Sequence, residues 1–406
     1  MFKVPSWKLV ELERIADFYS GGTPRKSEPQ FWAGGTIPWI SASSMHTTRV
    51  SSSEKMVTPE AIGHGTRIAH RGATLVLVRG MSLLDEIRVS HATRDVAFNQ
   101  DVKALVAKHG VDPWFLTYAL HASRPALLAA VHLAGHGTGV LGTEQLRRLL
   151  IPMPSLEEQL RIVGVLGALD DLIEANISTI AAIEGLLQAA FAKYGFDEPG
   201  EMELSEIVDT NPKYPKPLGI APYVDMASLP TDSYQIDEIG ARPAAGGARF
   251  ARGDALLARI TPCLENGKAA FVSDTPVGEV HVGSTEFIVL RAKTGIPLSW
   301  PYFLSRSARF REFAIRQMSG STGRQRLDAM VLRKYRLKAP APEALAQFEA
   351  SASGLIAAAD ELKRENAILR STRDKVLPLL MSGEIRVGDV AKAGARGNNE
   401  RHSNGS

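Results

Sequence analysis

The sequence predicts an α+β chain: two mixed α/β domains related by internal duplication, separated by two long helices that pack on each other. Three observations carry this. Five short stretches recur in the same order at offsets of 181 to 192 residues. Each copy opens with about 150 residues of short strand-like runs broken by Gly/Pro turns. Each copy closes in a long helix with sustained 3.5-residue apolar spacing.

The composition is that of an ordinary globular protein: 406 residues, 44% hydrophobic, 22% charged, mean hydropathy −0.06. This excludes a disordered chain, a fibrous repeat and a disulfide scaffold. The single cysteine, Cys263, has no partner for an internal disulfide, and no Cys/His set has zinc spacing. The start, Met1 to Lys8, lacks the apolar run of a signal peptide, and no stretch approaches the ~20 apolar residues of a membrane span. The expectation is a cytoplasmic protein without membrane contact.

The recurrences run in order. Glu13-Arg14-Ile15-Ala16-Asp17 answers to Ser205-Glu206-Ile207-Val208-Asp209, and Pro38 to Met45 answers to Pro222 to Leu229. Arg71-Gly72 followed by Leu75 to Arg79 answers to Arg252-Gly253 followed by Leu256 to Arg259. Phe98 to Val102 answers to Gly283 to Phe287, and Leu146-Arg147-Arg148 to Leu332-Arg333-Lys334. Five collinear pairs indicate a duplication. The expected boundaries are 1–152, a helix in 153–198, 199–340, a helix in 341–383 and a tail over 384–406, whose Lys392 to Ser406 is polar, Gly-rich and expected to be disordered.

The first helix begins at Ser155, a cap residue with acids in the turn that follows. Its seam reads Ile162, Leu166, Leu169, Ile173, Asn176, Ile180, Ile183, Leu187, Ala190. The second reads Phe348, Ala352, Leu355, Ala359, Leu362, Asn366, Leu369, Arg373, Val376, and is expected to end near Leu377, before Pro378. One such helix alone also suits packing on its own domain. Two matching ones, each with a seam Asn, argue for pairing, and a seam Asn fixes register. Arg373 on the seam predicts looser pairing at that end. Residues 162 to 190 would form a rod of about 42 Å.

The formal net charge of +3 hides an uneven distribution. Between Arg306 and Lys338 ten basic residues face two acids, a net +8, whereas residues 155 to 193 carry −4. A basic cluster interleaved with Ser, Thr, Gly and Gln suits phosphate contact and base-edge readout. The competing reading is a solvated, Arg-rich helix face over 306–316. Ser20 to Lys26 is a comparable loop ending in two cations, and Gly135 to Gly142 stands where 321–328 stands in the second copy. No Gly-Lys-Ser/Thr follows the glycines, which speaks against a nucleotide cradle.

Catalytic constellations are not recognisable. His132 and His136 are separated by Gly135, which disfavours a metal-binding helix. Asp360, Glu361 and Lys363 mimic part of a nuclease motif but lie on the heptad helix as solvated-face charges; Asp254, Glu265 and Lys268 lack metal-nuclease spacing. No Gly-x-Ser-x-Gly elbow occurs. The chain reads as a binder.

Gly21-Gly22-Thr23-Pro24 followed by Phe31 to Ile40 resembles the opening of the target-recognition domain in specificity subunits of type I restriction–modification systems. So do Phe98 to Leu105, Pro152 to Gln159, Ile260 to Lys268, Gly283 to Phe287 and Lys375 to Ile385, so that the resemblance covers nearly all of 5–388. The Glu-Glu-Gln at 157–159 is replaced in the second copy by Glu343-Ala344-Leu345. The resemblance implies two recognition domains that each read half of a bipartite asymmetric site. It also implies an antiparallel helix pair that sets the spacer and docks two modification subunits. By the same resemblance this chain holds no cofactor. The modification subunits use S-adenosylmethionine to methylate a flipped adenine at N6, and restriction/translocase subunits, where present, use ATP and Mg²⁺. The expected DNA contacts are Thr23, Arg25, Lys26, Ser43 and Arg79 in the first domain. In the second they are Arg259, Lys268, Thr322, Arg324, Gln325 and Arg326. Two other readings compete: a stand-alone DNA-modifying enzyme, which would need an Asn/Asp-Pro-Pro-Tyr/Phe motif or a carboxylate metal set, and a coiled-coil adaptor that never touches DNA.

Overall fold

The computed structural model of the chain describes residues 7–244, 246–321 and 323–388. The expected disordered tail, Lys392 to Ser406, lies outside them. The chain divides into two compact units, Met1–Asp171 with Leu369–Ser406, and Leu172–Ile368. Each long helix is shared by both.

In the first unit a five-stranded sheet runs in the order Ala16–Ser20, Val102–Ala107, Thr74–Leu77, Val89–Ala92, Arg49–Val50. Its central strand Thr74–Leu77 is buried throughout, as expected of a run covered on both faces. A second sheet pairs Ile37–Ile40 with Val96–Phe98 in parallel. Helix Pro113–Ala122 starts on a proline, with the Asp112 carboxylate accepting from the N–H groups of Trp114 and Phe115, both at 2.9 Å. Its apolar face joins a core that also takes Ile162 and Leu166 from the first long helix and Leu377, Leu380 and Met381 from the second.

In the second unit the strands Val208–Thr210, Phe287–Ala292, Asp254–Ala258 and Ala269–Phe271 form one sheet in that order. In another sheet Ile220–Val224 pairs in parallel with His281–Gly283. Helices Trp300–Arg306 and Ala308–Arg316 cover a core rich in aromatics, in which Phe191, Trp300, Phe303 and Phe348 meet at ring-centroid distances of 5.5 to 6.3 Å.

Four hydrogen bonds donated by backbone N–H groups, three to carbonyls and one to a side chain, recur in the two units with matching geometry. Leu12 N–H reaches Leu149 O at 2.9 Å, as Leu204 N–H reaches Tyr335 O at 2.8 Å; Lys108 reaches Ile15 O and Lys293 reaches Ile207 O, both at 2.9 Å. The Asp101 N–H is turned onto the Asn99 side chain at 3.1 Å, as the Glu286 N–H is turned onto Ser284 at 3.2 Å. Leu141 N–H reaches Val78 O at 2.9 Å, as Leu327 N–H reaches Arg259 O at 2.8 Å. The last pair keeps the offset of 181 residues that aligns Arg71-Gly72 with Arg252-Gly253. Val78 occupies the place of Arg259, and Arg79 that of Ile260, these last two each bridged to the following hairpin, through Val140 and Arg326.

The long helices span Leu156–Lys193 and Pro342–Ser382. Every seam position named from the sequence is buried or half-buried. In the second unit the helices run antiparallel: Tyr194 hydrogen-bonds Gln347, and Asn176, earlier in the first helix, reaches Asn366, later in the second. Asn176 Nδ2 donates to Asn366 Oδ1 at 3.1 Å and to Glu365 at 2.8 Å, which satisfies both hydrogens of an amide buried in the seam.

Three expectations are corrected here. The second helix does not stop before Pro378 but continues through it; one intrahelical bond is lost, while Leu377, Leu380 and Met381 around it are held in the core. Arg373 does not loosen the seam. Its guanidinium pairs with Asp170 at 2.7 Å, and the same carboxylate accepts from Tyr118 Oη at 2.7 Å. Finally, Leu156–Lys193 is, by length and composition, apolar enough to cross a membrane. Its apolar residues serve both cores, and Asp170, Asn176 and Glu184 on it are buried and hydrogen-bonded.

Candidate nucleic-acid interface

In the first unit the loop Ser20 to Lys26 is fixed at its base. Gly22 N–H donates to Phe98 O at 2.9 Å, and Trp39 Nε1 donates to Gly22 O at 3.1 Å. A Cβ at Gly21 would lie 2.2 Å from Phe98 O, so only glycine allows this approach. Thr23 Oγ1 donates to Gln100 Oε1 at 2.7 Å, and Arg25 and Lys26 beyond it are exposed. The turn at 99–101 continues to Val78, whose N–H reaches Asp101 O at 2.8 Å, and so to exposed Arg79, paired with Val140 of the hairpin His132–Ala134 and Thr138–Val140. Thr23 and Arg79 therefore flank one turn. Ser43 is exposed on the segment after Ile37–Ile40 and bonds Ser41 at 3.0 Å.

In the second unit the corresponding node is built from Arg259, Glu286 and the hairpin Ser319 to Arg326. Ser319 and Arg326 exchange backbone bonds at 3.0 and 2.8 Å, and Thr261 N–H reaches Gln325 O at 3.1 Å. Arg326 grips the Glu286 carboxylate from Nε at 3.0 and 3.1 Å and from Nη2 at 2.7 Å. The Arg326 hydrogen bonds hold the Glu286 carboxyl below its ordinary range. Arg324 is exposed beside it, and Arg259 Nε is buried without a hydrogen-bond partner among the described residues. Lys268 is placed differently: its ammonium donates to Met226 O at 2.9 Å and Ala227 O at 3.3 Å, tying down the segment Pro222 to Leu229. Thr322 lies outside the described residues.

Half of the ten cations in the +8 segment are tied to other parts of the chain. Arg306 donates to Gly267 O, Arg309 to Asp197 O and Arg311 to Glu265 O; Arg336 and Lys338 pair with Glu201 and Glu198 at 2.8 and 2.9 Å. Counting charge along the chain does not see carbonyls and acids brought in from 197–201 and 265–267. What stays at the surface of the node is Arg324 and the outer edge of Arg326.

Sequence reasoning missed Gln100, Glu286 and Gln159. The first two stand in stretches that recur between the copies, which was the available signal. Gln159 is buried; its amide accepts from Asp112 N–H at 2.9 Å and donates to Gly110 O and Pro154 O at 3.2 and 3.1 Å, stapling the helix start to the loop before Pro113. A cleft of about 450 Å³, lined by Tyr19, Arg67, Arg71, Ala73 and Val106, opens in the first unit. Among the described residues no group of three His, Cys, Asp or Glu could hold a metal ion.

The profile of the type I restriction modification DNA specificity domain matches residues 5–184. The chain is 33% identical over 168 residues to the type I restriction enzyme EcoR124I/EcoR124II specificity subunit of Escherichia coli, covering 41% of each chain. It is 27% identical over 207 residues to the type I restriction enzyme MjaIX specificity subunit of Methanocaldococcus jannaschii, covering 50% of this chain and 47% of that one. These matches span less than half the length of either relative. In fold, the chain is similar to the crystal structure of a type I restriction–modification system S subunit from M. genitalium, with a TM-score of 0.53 and 16% identity over 92% of this chain and 96% of that one. Residues 5–184, a little under half of the chain, thus carry the similarity to type I restriction–modification DNA specificity proteins.

Proposed function

We propose that this chain is the DNA-specificity component of a type I restriction–modification complex. Each unit reads one half of a bipartite asymmetric site in double-stranded DNA. The two units are copies of one ancestral domain, and the paired helices set the spacer and dock two modification (methyltransferase) subunits, with restriction/translocase subunits where present. S-adenosylmethionine, ATP and Mg²⁺ belong to those partners, this chain contributes no catalytic group, and the complex works in the cytoplasm.

The observation that supports this best is the node that recurs in both units. The same backbone bonds, Leu141 to Val78 and Leu327 to Arg259, carry different polar side chains at the tip: Thr23, Gln100 and Arg79 in one, Glu286, Arg324 and Arg326 in the other. A constant frame with a varied polar edge is what two different half-sites require, since phosphate contacts position and base-edge contacts specify. Arg25, Lys26, Ser43, Arg79, Arg259, Arg324, Gln325 and Arg326 are the proposed contacts, with Thr23 and Thr322. Lys268 acts through the segment it holds.

Co-expression with its modification subunit, followed by genome-wide mapping of N6-methyladenine, tests this. A split, gapped methylated motif is the expected result. Absence of any such motif from an expressed, assembled complex overturns it.

A further inference from the structure

We infer that Glu286 is a positioning residue for base readout: it holds Arg326 side-on so that the guanidinium presents its remaining end-on edge to a guanine. This rests on the DNA-specificity reading above. Arg carries five donors in a planar fork. Two of its nitrogens, Nε and Nη2, face the Glu286 carboxylate at 2.7 to 3.1 Å. The fork that stays open is formed by Nη1 and the second hydrogen of Nη2. That pair matches the O6 and N7 acceptors on the major-groove edge of guanine.

The support behind the pair is rigid. Glu286 is only 22% exposed at its side chain, while Arg326 is 56% exposed. Glu286 itself is fixed by its N–H on Ser284 and by its carbonyl, which accepts from Arg259 N–H at 3.0 Å. Arg326 sits at a backbone bridge between Ile260 and Ser319. A guanidinium so held loses little freedom on binding, and its neutralised charge has reduced pull toward phosphate, so the geometry favours reading over non-specific contact. The first unit has no counterpart. Val140 stands where Arg326 stands, and the Asp101 carboxylate accepts from Asn99 and Gln100 amides at 3.1 and 3.4 Å. The effect is therefore confined to one half-site.

The test uses the complex of this chain with its modification subunits, comparing wild type with Glu286→Ala and Arg326→Lys. In the methylome, both variants are expected to lose the preference for guanine at one same position of one half-site, with the other half unchanged. On random-sequence duplex DNA, Glu286→Ala is expected to steepen the slope of log affinity against log salt by about one, because the released guanidinium gains a phosphate. Arg326→Lys keeps the charge at an exposed site, so it reads the fork without threatening the fold. A motif identical at every position in both variants, with an unchanged salt slope, overturns the role of Glu286. A wild-type complex without a split motif counts against the function proposed above; the salt slope still decides Glu286, since a carboxylate with a purely structural role leaves it unmoved.

Discussion

The two units share a backbone frame and differ in how they make it polar inside. At the start of the first long helix a buried amide, Gln159, satisfies three backbone groups; the second helix has Leu345 there, inside an aromatic core. Where the first unit opens a cleft between Ala73 and Val106, the second places Asp254 and Arg291, and Tyr214 fills the space, donating to Asp254 at 2.7 Å with Arg291 5.3 Å from its ring centroid. The first unit buries the imidazoles His91 and His121 with one carboxyl, Asp170; the second buries the carboxyls Glu184, Asp254 and Asp360 with one imidazole, His281, so Asp360 does not lie on the solvated face its sequence suggested. A ladder of backbone bonds tolerates such exchange because it asks nothing of side chains beyond size and burial. The polar interior is where the two units differ.

The comparison breaks most sharply at Asp170. Asp170→Ala leaves the half-buried guanidinium of Arg373 with Asp374 alone and the Tyr118 hydroxyl without its acceptor, at a cost of about 3 kcal/mol. Hydrogen exchange on the full chain should show protection falling across the first unit and holding in the second; equal loss in both would refute the division.

Acid should separate the units next. Burial lowers the His91 pKa from 6.5 to about 4. Between those values the unfolded chain binds the proton and the folded unit does not, so stability present above pH 6.5 falls as pH drops toward 4, by about 3 kcal/mol. In the second unit burial raises the Glu184 and Asp360 carboxyls, so their contribution is present at low pH and is lost as pH rises through the raised values. Exchange at pH 7 against pH 4.5 should weaken the first unit and strengthen or spare the region around Glu184 and Asp360. His91→Asn should flatten the first response.

Exchanging the helix-start residues gives a smaller effect. Gln159→Leu strands Asp112 N–H and two carbonyls, costing about 1–3 kcal/mol, and Leu345→Gln buries an amide in an apolar core at a similar cost. Urea denaturation reads both, and two neutral exchanges would show that the helix starts are interchangeable. The smallest shift belongs to the double change Asn176→Leu with Asn366→Leu. Both partners leave together, so thermal stability should stay within about 1 kcal/mol of wild type or rise, whereas Asn176→Leu alone should be worse.

The seam, the cap at Ser155 and the buried strand Thr74–Leu77 were legible because each depends on spacing or on a side chain within a few residues. The node was half legible. Its arginines and its recurring 283–287 stretch were visible, but the bond between Glu286 and Arg326 joins residues forty apart in sequence. The partners of Lys268, Arg306, Arg309, Arg311, Arg336 and Lys338 were hidden for the same reason, since they are backbone carbonyls and acids far away in the chain.

Local sequence by itself determined the elements, the repeated order and the heptad seam, because periodicity and capping act over one or two helical turns. Tertiary structure alone decided which charges remain available to a partner. Hydrogen-bond partners in three dimensions, not the tally of charges along the chain, tie down Arg306, Arg311 and Lys268 and orient Arg326. An ion pair or carbonyl contact works over about 3 Å of space, whatever its separation in sequence.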